Sequence, residues 1–174
     1  PTRPIGRTFR QLYQKTFFNF DPRFLGLGDL HQRGGQTEEP EKMLILAKDE
    51  FVDDLASFVA WKRQSGIHTT VIPLSHAGGP FDWSVFNFVK QYYEANDITY
   101  LLIVGDETAL NAQMRPSDGK DYACENCFGY LAGDDHLPEV FVGRFHAATR
   151  AQLKIILQRN LEYEKNPLVD PQKN

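Results

Sequence analysis

The sequence is short of cysteine, of excess positive charge and of long apolar runs, and each shortage excludes a class of protein. Its 174 residues include only two cysteines, Cys124 and Cys127, which are too few for a disulfide framework. The formal net charge is −4, whereas nucleic-acid-binding proteins usually carry an excess of basic residues that neutralises phosphates. The longest clean apolar runs, at 43–47 and 100–104, are far shorter than the roughly 20 residues of a membrane span. We therefore expect a protein that neither binds nucleic acid nor spans a membrane.

Several motifs of catalytic sites are absent as well. The sequence contains no G-x-G-x-x-G or Walker A motif, so a glycine-rich phosphate loop has no support. It contains no G-x-S-x-G motif, and no histidine is placed as the base of a Cys–His pair. The first four residues, PTRP, lack the apolar stretch of a signal peptide, so we expect a mature, trimmed or excised chain. The residues alone therefore supply no catalytic machinery.

What is present indicates one globular domain with an extension. Hydrophobic residues make up 41% of the chain and aromatic residues 13%, enough for a core at this length. Residues 1–40 are interpreted as an N-terminal arm and linker, because aromatic side chains at 8–20 precede a glycine-containing polar stretch. A partly disordered tail is the alternative for this arm.

Between residues 41 and 166 the pattern alternates between strand and helix. Short apolar or β-branched runs at 43–47, 69–73 and 98–104 predict strands that are buried in a sheet. Between these strands, apolar residues at helical spacing predict two helices, with Asp49 and Asp82 as their expected N-caps. This order predicts an α/β fold, a three-layer Rossmann-like arrangement with a parallel sheet and helices on both faces.

The remaining elements are predicted from shorter patterns. Two further strands are expected at 128–130 and 139–143, and a final helix from about 149 to 164. The closing residues, 167–174, are interpreted as a linker.

Acidic residues suggest a cation site at the end of the third strand. Asp106 follows that strand, and ligands of open parallel sheets bind beyond the carboxyl ends of strands. A second acidic cluster, 133–139, alternates carboxylates with backbone carbonyls, which suits a hard cation. On residues alone, an acidic surface turn is the simpler interpretation of this cluster.

The two cysteines form a C-x-x-C motif, Cys124-Glu-Asn-Cys127. A zinc site needs four ligands, and neither a second C-x-x-C nor a histidine pair is present. We expect a pair of structural or incidental thiols, with a local disulfide or a metal clip as the alternative.

Five stretches together resemble the gingipain-type cysteine peptidases, family C25. They occur in the family's order and at similar separations over residues 41–166. They are FVAWKRQSG (58–66), FVKQYYE (88–94), ITYLLIVGD (98–106), GDDHLPEVFVGR (133–144) and LEYEK (161–165).

The resemblance implies a caspase-like catalytic domain of two α/β subdomains, of which this chain is the N-terminal one. The catalytic cysteine and histidine of the family belong to the second subdomain, which would begin after Asn174. Cys124 and Cys127 do not align with the nucleophile. We therefore expect a part of a secreted or cell-surface bacterial endopeptidase that is inactive alone, braces the active site and has two partners. These are the downstream catalytic subdomain and the protein or peptide substrate.

The resemblance also implies a calcium site. The implied ligands are the carboxylates of Asp106, Asp135 and Glu139 and the carbonyls of Leu137 and Ala132, with Asp134 as a competitor of Asp135. Two other functions stay open: a non-catalytic doubly wound module that binds a ligand or cation, and a sortase-like processing relative of the same family.

Overall fold

The computed structural model describes residues 40–117, 120–133 and 137–167. Nearly all of the expected arm and of the expected closing linker lies outside these ranges, as do Asp134 and Asp135. All elements below belong to the unit Lys42–Asn174. The strands are β1 (Lys42–Ala47), β2 (His68–Pro73), β3 (Tyr100–Val104), β4 (Gln113–Ser117), β5 (Lys120–Cys124) and β6 (Phe141–Phe145); the helices are α1 (Ala56–Gln64), α2 (Asp82–Asn96) and α3 (Arg150–Lys165).

The central element is a parallel sheet with the strand order β2-β1-β3-β6. Strand β1 pairs with both β2 and β3, so that Leu46 lies between Ile72 and Ile103. The continuous apolar runs of β1 and β3 are explained by these central positions, since both faces of the two strands are buried. The predicted parallel α/β architecture is confirmed.

Alternate residues of the central strands face two separate cores. Leu44 packs in a cluster that includes Val89 of α2. Its neighbour Ile45 packs in the opposite cluster, with Phe58 of α1 and Leu153 of α3. Because successive side chains of a strand point to opposite faces, the sheet is covered by helices on both sides, as predicted.

The helix ends follow local chemistry that the sequence revealed only in part. Thr149 caps α3 through a capping box: its hydroxyl accepts from the Gln152 amide, and the Gln152 side chain accepts from the Thr149 amide. Asp82 is the first residue of α2 rather than its N-cap, which is Phe81. Asp49 is not a helix cap either, because its Oδ1 accepts from the Ser75 amide at 3.1 Å.

The segment between β3 and β6 departs from the predictions. Strands β4 and β5 form an antiparallel hairpin that the sequence did not indicate. The predicted strand at 128–130 is part of a 3-10 turn, Asn126–Gly129, and β6 begins two residues later than predicted. Gly129 passes close to the next segment, because a Cβ there would lie 2.9 Å from the Val140 carbonyl oxygen. A short apolar run does not distinguish such a packed turn from a strand.

Cys124 and Cys127 form a disulfide that connects the end of β5 to the 3-10 turn. The expectation of two unpaired thiols is therefore wrong, and the alternative of a local disulfide is confirmed.

Among the helices of the described ranges, none combines the length and apolarity that a membrane crossing requires.

Candidate functional site

The carboxyl ends of three strands meet at one edge of the sheet. The Lys48 amide, after β1, donates to the Val104 carbonyl at 2.8 Å. The Gly105 amide, after β3, donates to the Phe145 carbonyl at 3.0 Å. This edge is where open α/β sheets bind ligands, and it holds the predicted site residue Asp106.

Asp106 is a buried carboxylate at this edge, with 7% of its surface exposed. Gly105 before it has a φ of +144°, and a Cβ there would lie 2.8 Å from the Ala109 Cβ. Asp106 Oδ1 accepts from the Thr108 hydroxyl at 2.7 Å. The hydrogen bond from Thr108, with help from nearby amides and Lys48, lowers the pKa of Asp106 although burial opposes this. Asp106 is therefore ionised at neutral pH and is already engaged in its own turn.

Other charged side chains surround Asp106 along the edge. Lys48 pairs with Glu50 at 2.7 Å, and this carboxylate raises the pKa of Lys48. His146, after β6, lies 3.4 Å from the Glu107 carboxylate, and both side chains are exposed. The edge therefore combines both signs of charge.

Arg144 is a functional candidate that sequence reasoning did not identify. Its side chain is 11% exposed and pairs with Glu125 at 2.9 Å. It also donates to the backbone carbonyls of Gly105, at 3.1 Å, and Asp106, at 3.4 Å. We refer to Glu125, Arg144 and these two carbonyls as the Arg144 brace. A basic residue inside an apolar strand was the available signal.

The predicted ligands of the second acidic cluster lie in the loop before β6. Glu139 Oε2 accepts from the amides of Leu131, at 2.6 Å, and Ala132, at 3.0 Å. This carboxylate therefore lies beside Ala132, another predicted ligand. Leu137 lies in the same loop, and Asp135 lies outside the described residues.

The structure does not bring Asp106 and Glu139 together. Strands β3 and β6 are parallel, and Val104 at the end of β3 pairs with Phe145 at the end of β6. Asp106 follows the carboxyl end of β3, whereas Glu139 precedes the amino end of β6. At about 3.3 Å per residue, the five paired residues of these strands place about 16 Å between the two ends. Ligands of one Ca²⁺ lie within about 2.6 Å of the ion, so this separation argues against one shell that holds both Asp106 and Glu139, and the calcium site stays a prediction.

The remaining predicted ligands are all oxygens of one loop, 132–139, and this donor set matches the preference of Ca²⁺. Within 40–117, 120–133 and 137–167, no three His, Cys, Asp or Glu side chains gather closely enough to hold a metal ion. Glu139 is the one predicted carboxylate ligand of the loop in these ranges.

Comparison with known proteins agrees with the fold and with the sequence motifs. The family model for peptidase family C25 matches residues 36–174. The chain belongs to peptidase family C25. Gingipain R2 of Porphyromonas gingivalis strain W83 is 32% identical over 163 residues, which are 91% of this chain and 20% of that protein. A Lys-gingipain of the same species is 28% identical over 165 residues, 90% of this chain and 9% of that protein.

Solved structures show the same similarity. The crystal structure of the Arg-specific cysteine proteinase gingipain R superimposes with a TM-score of 0.66 at 31% identity, covering 74% of this chain and 29% of that one. The complex of the pro- and mature domains of P. gingivalis RgpB gives a TM-score of 0.65 at 32% identity, covering 70% of this chain and 29% of that one. The C25 chain thus spans about a fifth or less of these curated relatives and under a third of the solved chains.

These comparisons confirm the predicted C25 resemblance and the caspase-like fold class. Because the family consists of cysteine peptidases, we asked whether either cysteine of this chain could be the nucleophile. The 174 residues hold only two cysteines, and these are bonded to each other. While this disulfide is intact, neither cysteine is available as a thiolate for nucleophilic attack.

Proposed function

We propose that this chain is the N-terminal subdomain of a gingipain-like cysteine endopeptidase whose Cys–His dyad lies outside these 174 residues. The observation that carries the proposal is a C25 fold in which both cysteines are committed to one disulfide. The share of the solved relatives that it covers, 29%, supports the assignment to one part of a larger catalytic unit. In the whole enzyme, a thiolate of the other subdomain attacks the peptide carbonyl.

In this proposal the subdomain braces the active site of the whole enzyme. The sheet edge at the carboxyl ends of β1, β3 and β6, here called the carboxyl edge, is suited to that role. The Arg144 brace and the turn of Asp106 fix the ends of β3 and β6 by charged hydrogen bonds. Such bonds hold loops in one geometry more firmly than neutral ones. A rigid edge would keep the neighbouring subdomain within the small positional errors that catalysis tolerates.

Calcium binding is part of the same proposal, with a smaller ligand set than the sequence suggested. Glu139 and Asp135 would supply carboxylates, and Ala132 and Leu137 would supply carbonyls. We leave Asp106 out of this proposed set because it follows the opposite end of the paired strands. The bound ion would crosslink the loop next to β6 by charge and coordination.

An extracellular bacterial location is proposed on two grounds. The gingipain relatives support it, and disulfides persist in oxidising compartments outside the cytosol.

Peptide hydrolysis by the longer gene product tests the proposal. The product that contains these residues and the chain that follows should cleave a protein substrate, and a thiol-alkylating reagent should inhibit it. The 174 residues alone should cleave nothing. No cleavage by the folded longer product would instead favour a non-catalytic binding module. Products joined to an added amine would favour a sortase-like processing enzyme.

A further inference from the structure

The Cys124–Cys127 disulfide lies directly beside the Arg144 brace. Glu125 is the residue that follows the first cysteine, so its backbone belongs to the small ring that the disulfide closes. The Glu125 carboxylate pairs with Arg144, and Arg144 in turn donates to the carbonyls of Gly105 and Asp106. A continuous path of covalent and charged contacts therefore runs from the disulfide to the carboxyl edge of β3.

The two cysteine residues of this disulfide differ in exposure. Cys124, at the end of the exposed strand β5, is half-buried, whereas Cys127 is 1% exposed. Asn126, between them, is exposed. Cys124 is therefore the more exposed target for an incoming thiolate, and access is one of the factors that decide which disulfides exchange.

We propose that Cys124 is a thiol-exchange site for low-molecular-weight thiols and that exchange there releases the Arg144 brace. A thiolate of the external thiol attacks Cys124 Sγ, forms a mixed disulfide, and displaces Cys127 as a thiolate, which takes up a proton. A second external thiolate then attacks the external sulfur of the mixed disulfide and releases Cys124. In sum, two external thiols are oxidised to one disulfide, and the protein disulfide is reduced to two thiols.

Release of the brace follows from the environment of Arg144. The Nε of this mostly buried guanidinium has no hydrogen-bond partner in the described structure, so the pairing with Glu125 is a main compensation for its burial. Reduction frees the backbone on both sides of Glu125, which weakens that pairing. The carbonyls of Gly105 and Asp106 then lose a well-positioned donor. This inference is independent of peptidase activity.

The first experiment tests the exchange itself. The native 174-residue protein is incubated with millimolar reduced glutathione, alkylated and digested for mass spectrometry. We expect glutathione on Cys124 and the alkyl group on Cys127, and two alkylated cysteines after treatment with dithiothreitol. A disulfide that reacts only after denaturant is added, or glutathione mainly on Cys127, would overturn the proposal.

The second experiment tests the connection to the brace. Reduction should lower the Tm of the unmodified protein by about 3–6 °C. In Glu125→Gln, where the charged pairing is already lost, reduction should lower the Tm by less than half as much. Asp121→Asn is the matched control, because it removes a carboxylate from the same exposed hairpin at a position outside the disulfide ring, and it should keep the full shift. Equal shifts in all three proteins would show that the disulfide and the brace are not coupled.

A variant without the disulfide removes side effects of the reductant. The double substitution Cys124→Ser and Cys127→Ser should match the Tm of the reduced protein and should not respond to dithiothreitol. In hydrogen exchange, the Gly105 amide should exchange faster in this variant than in the oxidised protein. Unchanged exchange at Gly105 would contradict release of the brace.

Discussion

Asp106 shows how one buried carboxylate can stabilise the turn at the end of a strand. Its Oδ1 accepts from Thr108, and its backbone carbonyl accepts from the amides of Ala109 and Leu110. The side chain and the backbone of one residue therefore shape the turn that follows β3. This local role explains why the residue is polar at a buried position.

The pH dependence of stability provides a test of that role. The pKa of Asp106 is lowered in the folded protein, so its contribution to stability is present above the ordinary Asp pKa of about 3.9 and is lost as the pH falls through the lowered value. Asp106→Asn should lower the Tm at pH 7, and its difference from the unmodified protein should shrink in strongly acidic buffer. Glu107→Gln, with a side chain that is 70% exposed, is the control and should change the Tm little at either pH. An Asp106→Asn difference that grows on acidification would contradict this assignment.

Two glycines, Gly129 before the loop that precedes β6 and Gly143 within β6, predict different responses to the same substitution. A Cβ at Gly129 would lie 2.9 Å from a backbone oxygen, whereas one at Gly143 would meet nothing closer than 4.0 Å. Gly129→Ala should therefore destabilise the protein by about 1–3 kcal/mol, since backbone must move. Gly143→Ala should stay within about 0.5 kcal/mol. Urea unfolding of both variants measures this, and equal losses would show that the close approach at Gly129 is not a constraint.

Residue-level chemistry was only partly predictable from the sequence. Asp106 could be placed at a strand end because the apolar run before it is unmistakable. Its partnership with Glu139 could not be judged, since the register of β3 against β6 is a tertiary property. Arg144 was missed because its partner Glu125 is distant in the sequence and lies in a loop that the Cys124–Cys127 disulfide closes.

At the scale of elements, α3 begins with complete local capping. Thr149→Ala removes the side-chain acceptor for the Gln152 amide, and we expect a loss of about 1 kcal/mol in the free energy of unfolding. Thr149→Ser keeps the hydroxyl and should keep most of the stability. Ser57→Ala, at an exposed position inside α1, is a control for loss of a hydroxyl from a helix. A Thr149→Ala protein as stable as the Ser57→Ala protein would argue against the capping box.

The proposed calcium site in the loop before β6 predicts that the effect of calcium on the Tm depends on Glu139 and not on Asp106. If Ca²⁺ binds there at 100 times its Kd, it stabilises the fold by about 2.7 kcal/mol, so chelation should lower the Tm. Glu139→Gln should abolish the calcium-dependent shift, whatever its effect on the Tm itself. Asp106→Asn should keep the full shift, because Asp106 lies at the other end of the strands.

Two results would contradict the calcium proposal in different ways. A shift that depends on Asp106 and not on Glu139 would return the site to the carboxyl edge. No calcium-dependent shift in the unmodified protein would remove the site.

The elements that the sequence predicted well are those with one dominant signal. Strands β1 and β3 are continuous apolar runs because both faces are buried. The hairpin was missed because the residues of β5 are largely exposed, so no alternation of apolar and polar residues marks them.

At the scale of the whole molecule, the four-stranded parallel sheet and its two helical layers place this chain in the caspase-like architecture of family C25. Fold alone does not specify activity, and the thiol chemistry of the family has no free cysteine here. We therefore propose that a second subdomain supplies the nucleophile of the whole enzyme.

Mapping the cysteine that reacts with a peptide-based, thiol-directed covalent probe tests this claim most directly. The longer gene product that contains these residues is labelled in its native state, digested and sequenced by mass spectrometry. We expect one labelled cysteine outside residues 1–174, with Cys124 and Cys127 recovered as a disulfide. A label on Cys124 or Cys127, or a folded longer product that takes no label at all, would contradict it.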